Sequence, residues 1–180
     1  MKVRNVHERR FPATEPVGAL IDSLASDKDA LWPIESWPRM AFDRSLQAGA
    51  AGGHGPIRYV VEEYTPQESI KFLLTRPKGF DGTHGYEVVA IGPETVVLRH
   101  TLEMTTSGLA NLSWPLVFRP LHDALIEDSL ATAEASLRHP ATVQRWSPWV
   151  KLLRWVMSRG RARPQVTPNK PMQRTAFGRR

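Results

Sequence analysis

The chain has no cysteine, which excludes disulfides, thiolate metal sites and cysteine nucleophiles and removes redox chemistry as a guide to compartment. No stretch approaches the ~18 apolar residues of a membrane span, and the start, MKVRNVHERRF, lacks the apolar run of a secretory signal. A cytoplasmic protein is the expectation, with peripheral membrane attachment as the one elaboration. Acid is missing from one end: every Asp and Glu lies at or before Glu134, whereas residues 138–180 hold 11 Lys and Arg. The net charge of +6 therefore divides into a mildly acidic body and a basic tail, and no specific nucleic-acid partner is expected.

Catalytic signatures are also scarce. The Gly-rich stretch AGAAGGHGP (residues 48–56) has neither the lysine nor the hydroxyl of a phosphate loop, and His54 within it reads as a solvated turn residue. No serine-centred nucleophile motif is present. The 6 histidines show no close pairing and no regular ligand spacing, so neither a metal site nor a cofactor is expected.

What the chain does contain is one long helical segment, GLANLSWPLVFRPLHDALIEDSLATAEASLR (108–138), read as a single kinked helix from Leu109 to Arg138. At 100° per residue Val117, Leu121, Ala124, Leu125, Thr132 and Ala135 share one side, and Asp123, Glu127, Glu134 and Arg138 share a narrow opposite arc. Asp128 breaks the pattern by projecting into the apolar side, with His122 and Ser129 on its flank. A carboxylate there is costly unless paired or facing a wet cavity, so it marks a pocket wall, or else it rests solvated near a helix edge or pairs structurally with an Arg.

Ahead of this helix, Val3 to Phe11 reads as a first strand. Thr14 and Pro16 open an amphipathic helix to about Ser26, and a second short helical turn is expected around Asp27 to Leu31. Trp32-Pro33 and Trp37-Pro38 mark a loop whose indoles cover the end of a core or stack on a ligand. A short strand near Arg39 to Arg44 precedes a meander of Ile57–Tyr64, Ser69–Arg76, His84–Ile91 and Thr95–Thr106. The period of two turns Val96, Leu98, His100, Leu102 and Met104 inward, with Ile70, Phe72, Leu74, Tyr86, Val88 and His84. It also turns Val60, Glu62 and Tyr64 inward.

These elements give an α+β helix-grip fold: a curved antiparallel β-sheet wrapped around a long C-terminal helix, with two short helices after the first strand. The residues carry a likeness too. VHERRFPATEPVGALIDSL, GGHGPIRYVVEEYTP, FDGTHGYEVV, VLRHTLEM and WPLVFRPLHDALIEDSLATAEASL resemble bacterial members of the START-like (SRPBCC, polyketide cyclase and dehydrase-like) superfamily over residues 3–138. The resemblance implies an apolar cavity between sheet and helix, used for binding or transport of a small hydrophobic or amphipathic ligand, with a polyketide cyclase/dehydratase-like enzyme as the alternative. It carries over no catalytic motif, so the site follows from facing alone. Expected ligand contacts are Glu62, Tyr64, Phe72, His84 and Tyr86 from the sheet, His100 and Leu102 from its last strand, and His122, Leu125, Asp128 and Thr132 from the helix. His100 and Asp128 are the candidate catalytic or anchoring pair.

Three regions result: a helix-grip domain at 1–139, a basic amphipathic helix at 140–159, and a disordered basic tail at 160–180. Within 143–157, Trp146, Trp149, Val150, Leu153, Val156 and Met157 share one face and Lys151, Arg154, Ser147 and Gln144 the other, with Trp155 as the misfit. That helix suits an anionic membrane surface, a contact with the domain, or a contact with a second copy, which leaves the oligomeric state open. A membrane-surface adaptor is a third functional reading.

Overall fold

In a computed structural model of the chain, residues 1–168 are described; residues 169–180, part of the expected disordered tail, lie outside them. The elements are β1 (Lys2–Pro12), α1 (Val17–Ser23), β2 (Ala41–Phe42), β3 (Ala51–His54), β4 (Ile57–Thr65), β5 (Ser69–Arg76), β6 (Phe80–Ala90), β7 (Thr95–Thr106), α2 (Ala110–Ser113), a π-helical turn (Trp114–Phe118), α3 (Arg119–Ser136) and α4 (Pro148–Met157). The strands form a single antiparallel sheet in the order β1-β7-β6-β5-β4-β3-β2, so the meander runs outward from β7 and β1 closes its other side. This is the α+β helix-grip arrangement, with α2, the π turn and α3 laid across the sheet's concave face.

The helical segment is nearly continuous from Ala110 to Ser136, and its prolines explain its irregularity. Pro120 has no N–H to give the carbonyl of Leu116, four residues earlier, and that carbonyl instead accepts the indole N–H of Trp149 at 2.8 Å. A defect written into α3 thereby becomes a docking point for α4. Ser147 caps α4 by accepting from Val150 N, and Pro148 occupies the first turn, where no N–H is needed.

Two sequence expectations are corrected here. Asp27–Leu31 is a turn and not a helix: the Asp29 carboxylate accepts from the backbone N–H groups of Ala25, Leu31 and Trp32, and an Asp so engaged holds the chain in a loop. In β4 the inward residues are Ile57, Tyr59 and Val61, because a bulge between Val61 and Glu63 shifts the register. Val60 and Glu62 therefore do not belong to the inner face. Glu62 pairs with Lys71 on the outside at 2.9 Å, and Tyr64, beyond the bulge, reaches Asp22 of α1 at 2.8 Å.

α1 buries Val17, Leu20 and Ile21 against the sheet. Gly18 lets it approach: a Cβ there would stand 2.0 Å from the carbonyl oxygen of Gln67 in the β4–β5 turn. The main core joins these residues to Leu31, Trp32, Tyr59, Phe72, Leu98 and Leu130, all fully or almost fully buried.

Candidate ligand cavity

Sheet and helix do not close on each other everywhere. Between them lies a cavity of about 720 Å³, which falls in the size range of small-molecule pockets. Its sheet wall is Ile57, Leu74, Phe80, His84, Leu102 and Met104, and its helix wall is Trp114, Phe118, Leu121, His122 and Leu125. The loops contribute Trp37, Pro38 and Pro56, and the end of β3 contributes His54. The remaining wall comes from the C-terminal extension, through Arg154, Met157, Ser158, Arg161 and Arg163.

Among the residues expected to meet a ligand, His84, Leu102, His122 and Leu125 line this space. His100 sits directly behind them, 1% exposed, with its ring 5.6 Å from His84 and 5.1 Å from His122. Phe72 is completely buried between Phe42, Tyr59 and His84 and belongs to the core. Tyr86 exchanges a hydrogen bond with Ser129 at 2.8 Å, and Thr132 donates to the backbone carbonyl of Asp128. Neither is part of the cavity wall, nor are Glu62 and Tyr64.

Asp128 is buried, as the interrupted apolar face implied, but its partners are not a ligand or His100. Its Oδ2 accepts the indole N–H groups of Trp37 at 2.7 Å and Trp146 at 2.8 Å, and its Oδ1 accepts from Gln165 at 2.8 Å. The guanidinium of Arg154 lies between the same two indoles, 3.9 Å from the Trp37 ring centre and 4.1 Å from that of Trp146. It also donates to the carbonyls of Ser36 and Arg163. Burial raises the Asp128 pKa against the opposing pull of its three hydrogen bonds and Arg154. Burial also lowers Arg154 to about 10.

This cluster holds the C-terminal extension on the domain. Val150, Leu153 and Arg154 are the buried residues of α4, so Arg154 does not share the solvent face with Lys151 as its helical position suggested. Residues after α4 also reach the domain within the described part. Arg163 donates to the carbonyl of Ile34, Gln165 binds Asp128, and Val166 N donates to Ser36 Oγ.

Between sheet and helix, away from the arginines of the C-terminal wall, the cavity's polar groups are imidazoles. His84 Nδ1 lies 3.4 Å from His100 Nε2, while His84 Nε2, His100 Nδ1 and both nitrogens of His122 are buried without a hydrogen-bond partner. Burial pushes His84 and His100 well below the ordinary histidine range, and it also lowers His122. At neutral pH these rings are uncharged, each with one nitrogen able to accept. His54 is not a solvated turn residue: it lines the cavity, contacts Tyr59 Oη at 3.1 Å, and is lowered by burial to about 3.

A second polar cluster escaped the sequence reading. Asn5, His7 and Arg9 alternate along the helix-facing side of β1, and they meet the arc of α3 that carries Asp123, Glu127 and Glu134. Asn5 donates to Asp123 at 2.9 Å, His7 Nδ1 meets Glu127 at 2.6 Å, and Arg9 pairs with Glu127 and, at 3.5 Å, with Glu134. Burial opposes charge on His7, but Asp123 and Glu127 outweigh it and raise the pKa to about 9. The opposite arc of α3 is therefore partly buried, with Glu127 only 7% exposed. The legible signal was charge complementarity between an acidic helical stripe and basic residues two apart on a strand.

No family model matches the chain, and no curated protein matches it. Solved structures do match. A conserved protein of unknown function from Enterococcus faecalis superposes with a TM-score of 0.53 at 12% identity, covering 88% of this chain and 86% of its own. The di-domain ARO/CYC protein StfQ of the steffimycin biosynthetic pathway gives 0.53 at 16% identity, over 75% of this chain and 51% of its own. CalU16 from Micromonospora echinospora gives 0.50 at 15% identity, covering 88% and 93%. The likeness is one of fold. The arrangement of helix and sheet is thus a shared scaffold, and the lining residues must be argued from this chain alone.

Proposed function

We propose that this protein is a START-like domain that binds or carries a small hydrophobic or amphipathic molecule in the cavity between the sheet and α3. The observation that supports the reading is a largely apolar cavity of about 720 Å³ in which His84 and His122 present unpartnered ring nitrogens. Apolar walls supply affinity by removing hydrocarbon from water, and the two neutral imidazoles select a ligand with a hydroxyl or carbonyl at one end. The cyclase or dehydratase alternative loses its expected acid, since Asp128 is tied to Trp37, Trp146 and Gln165.

The test is displacement of a fluorescent fatty acid, combined with mass spectrometry of organic extracts of the purified protein. A retained or displaceable molecule whose affinity falls at least tenfold in both Leu102→Trp and Leu125→Trp supports cavity binding. Affinity unchanged in both correctly folded variants overturns it.

A specific surface favours an anionic membrane as the place where the ligand is collected. Leu109, Leu112 and Leu116 recur along the exposed side of α2 and the π turn, and Trp149, Leu152, Trp155 and Val156 along that of α4. The Trp149–Leu116 hydrogen bond joins the two rows. Such an apolar ridge beside exposed Lys151, Arg159 and Arg161, and ahead of an acid-free tail, matches an interface of acyl chains and anionic headgroups. Vesicles containing phosphatidylglycerol should bind the protein, and Leu152→Ser with Trp155→Ser and Lys151→Glu should reduce that binding at least tenfold. Equal binding by wild type and triple variant overturns this reading.

A further inference from the structure

We propose that His7, His122 and Asp123 form a binding site for a divalent transition metal of the zinc type, which shares His122 with the wall of the cavity. Each offers one ligand atom, and the three atoms lie within 4.8 Å of one another. Asp123 Oδ1 is 3.3 Å from His7 Nε2 and 3.6 Å from His122 Nδ1. Two ligands bound to zinc at ~2.0–2.1 Å in a tetrahedral arrangement are separated by about 3.3 Å, so these separations match two edges of the polyhedron to within a few tenths of an ångström.

The topology explains why the sequence hides the site. His122 and Asp123 are successive residues on α3 and diverge by about 100° around it, so they do not form the i, i+4 pair familiar on helices. Only a third ligand arriving from outside the helix, opposite the seam between them, can complete the set. β1 delivers His7 there, 115 residues earlier in the chain.

The surroundings fit coordination better than a plain ion pair does. His7 Nδ1 faces Glu127 Oε1 at 2.6 Å, which fixes a proton on that nitrogen, and a metal would take the place of the second proton, on Nε2 toward Asp123. This is the carboxylate–histidine arrangement that orients metal-bound imidazoles. Glu127 is itself held by Arg9 and by Gln144 at 2.8 Å, and Asn5 Nδ2 orients Asp123 at 2.9 Å. His122 is different: both of its ring nitrogens are buried without any hydrogen-bond partner, a costly condition that a metal on Nδ1 relieves. Three protein ligands leave a fourth position for water, the pattern of sites where the metal polarises or activates what it holds.

The experiment uses the untagged full-length chain, stripped with chelator and titrated with zinc against a chromophoric competitor, with cobalt as a spectroscopic probe. One zinc per chain, visible cobalt bands of tetrahedral intensity and a melting temperature raised by zinc are expected. His7→Gln, His122→Asn and Asp123→Asn should each weaken zinc at least a hundredfold, Glu127→Gln by roughly 10–100-fold as an orienting residue, and His139→Ala not at all. Asp123 is partly exposed and its Asn variant should fold, so it decides the matter if a histidine variant does not. Failure of the wild type to bind zinc, or unchanged affinity in a folded Asp123→Asn protein, overturns the site.

Discussion

Asp128 accepts the indole N–H of Trp146 at 2.8 Å, tying the helix that spans the sheet to the segment that follows it. With Trp37 on the same oxygen, removing the carboxylate leaves two buried donors and the Arg154 charge without a partner. Asp128→Ala should destabilise the fold by about 3 kcal/mol. Hydrogen exchange should show the loss first in residues 144–166, with α3 affected less. If protection falls uniformly, the carboxylate is not the clasp.

Arg9→Met should be destabilising by roughly 3 kcal/mol, because it leaves Glu127 buried beside His7 with less compensation. The Arg9→Met, Glu127→Gln double variant should recover part of that loss. Urea denaturation of the four proteins in a cycle measures the coupling, and a value near zero would show that the pair is only incidental.

Acid should unfold the protein through its interior histidines. His54 has a folded pKa of about 3 against an unfolded value near 6.5, and burial also lowers His84 and His100. Below pH 6.5 the unfolded chain takes up protons that the folded one refuses. Stability from these groups is therefore complete above about pH 6.5 and lost as pH falls toward 3. Thermal melts from pH 7.5 to 4.5 should show this decline, and His84→Phe should flatten it. A decline as steep in the variant as in the wild type would contradict the assignment.

His84→Phe should also change what is bound more than how tightly. Replacing the ring nitrogen by carbon should weaken a ligand with a terminal hydroxyl by about tenfold relative to its alkane analogue, the effect of ~1.4 kcal/mol for one hydrogen bond. Competition between the two ligands measures the ratio directly. Equal weakening of both would mean that His84 serves as wall alone.

Period-two and period-3.6 patterns were enough to place the meander and the long helix, and therefore the inner position of His84, Leu102, His122 and Leu125. They failed where the backbone departs from regular repeat. The bulge after Val61 reverses the phase that put Glu62 inside, and nothing in EEY announces it. β1 misled for another reason: Asn5, His7 and Arg9 face α3 while being polar, so a hydrophobic alternation was the wrong measure for that strand. Asp128 was correctly singled out as anomalous, yet its partners lie 91 residues before it and 37 after it, distances over which a single sequence offers no register.

The wall contributed by Arg154, Met157 and Arg161 comes from beyond the helix-grip unit itself. Substitutions at Met157 and Arg161, unlike those at Arg154 with its place in the Asp128 cluster, would reshape this wall without touching strand pairing or the crossing helix. If the cavity takes a ligand as proposed, selectivity and foldability are thus separable in this architecture, and a new appetite for cargo can be acquired by editing a short appendage while the vessel stays the same.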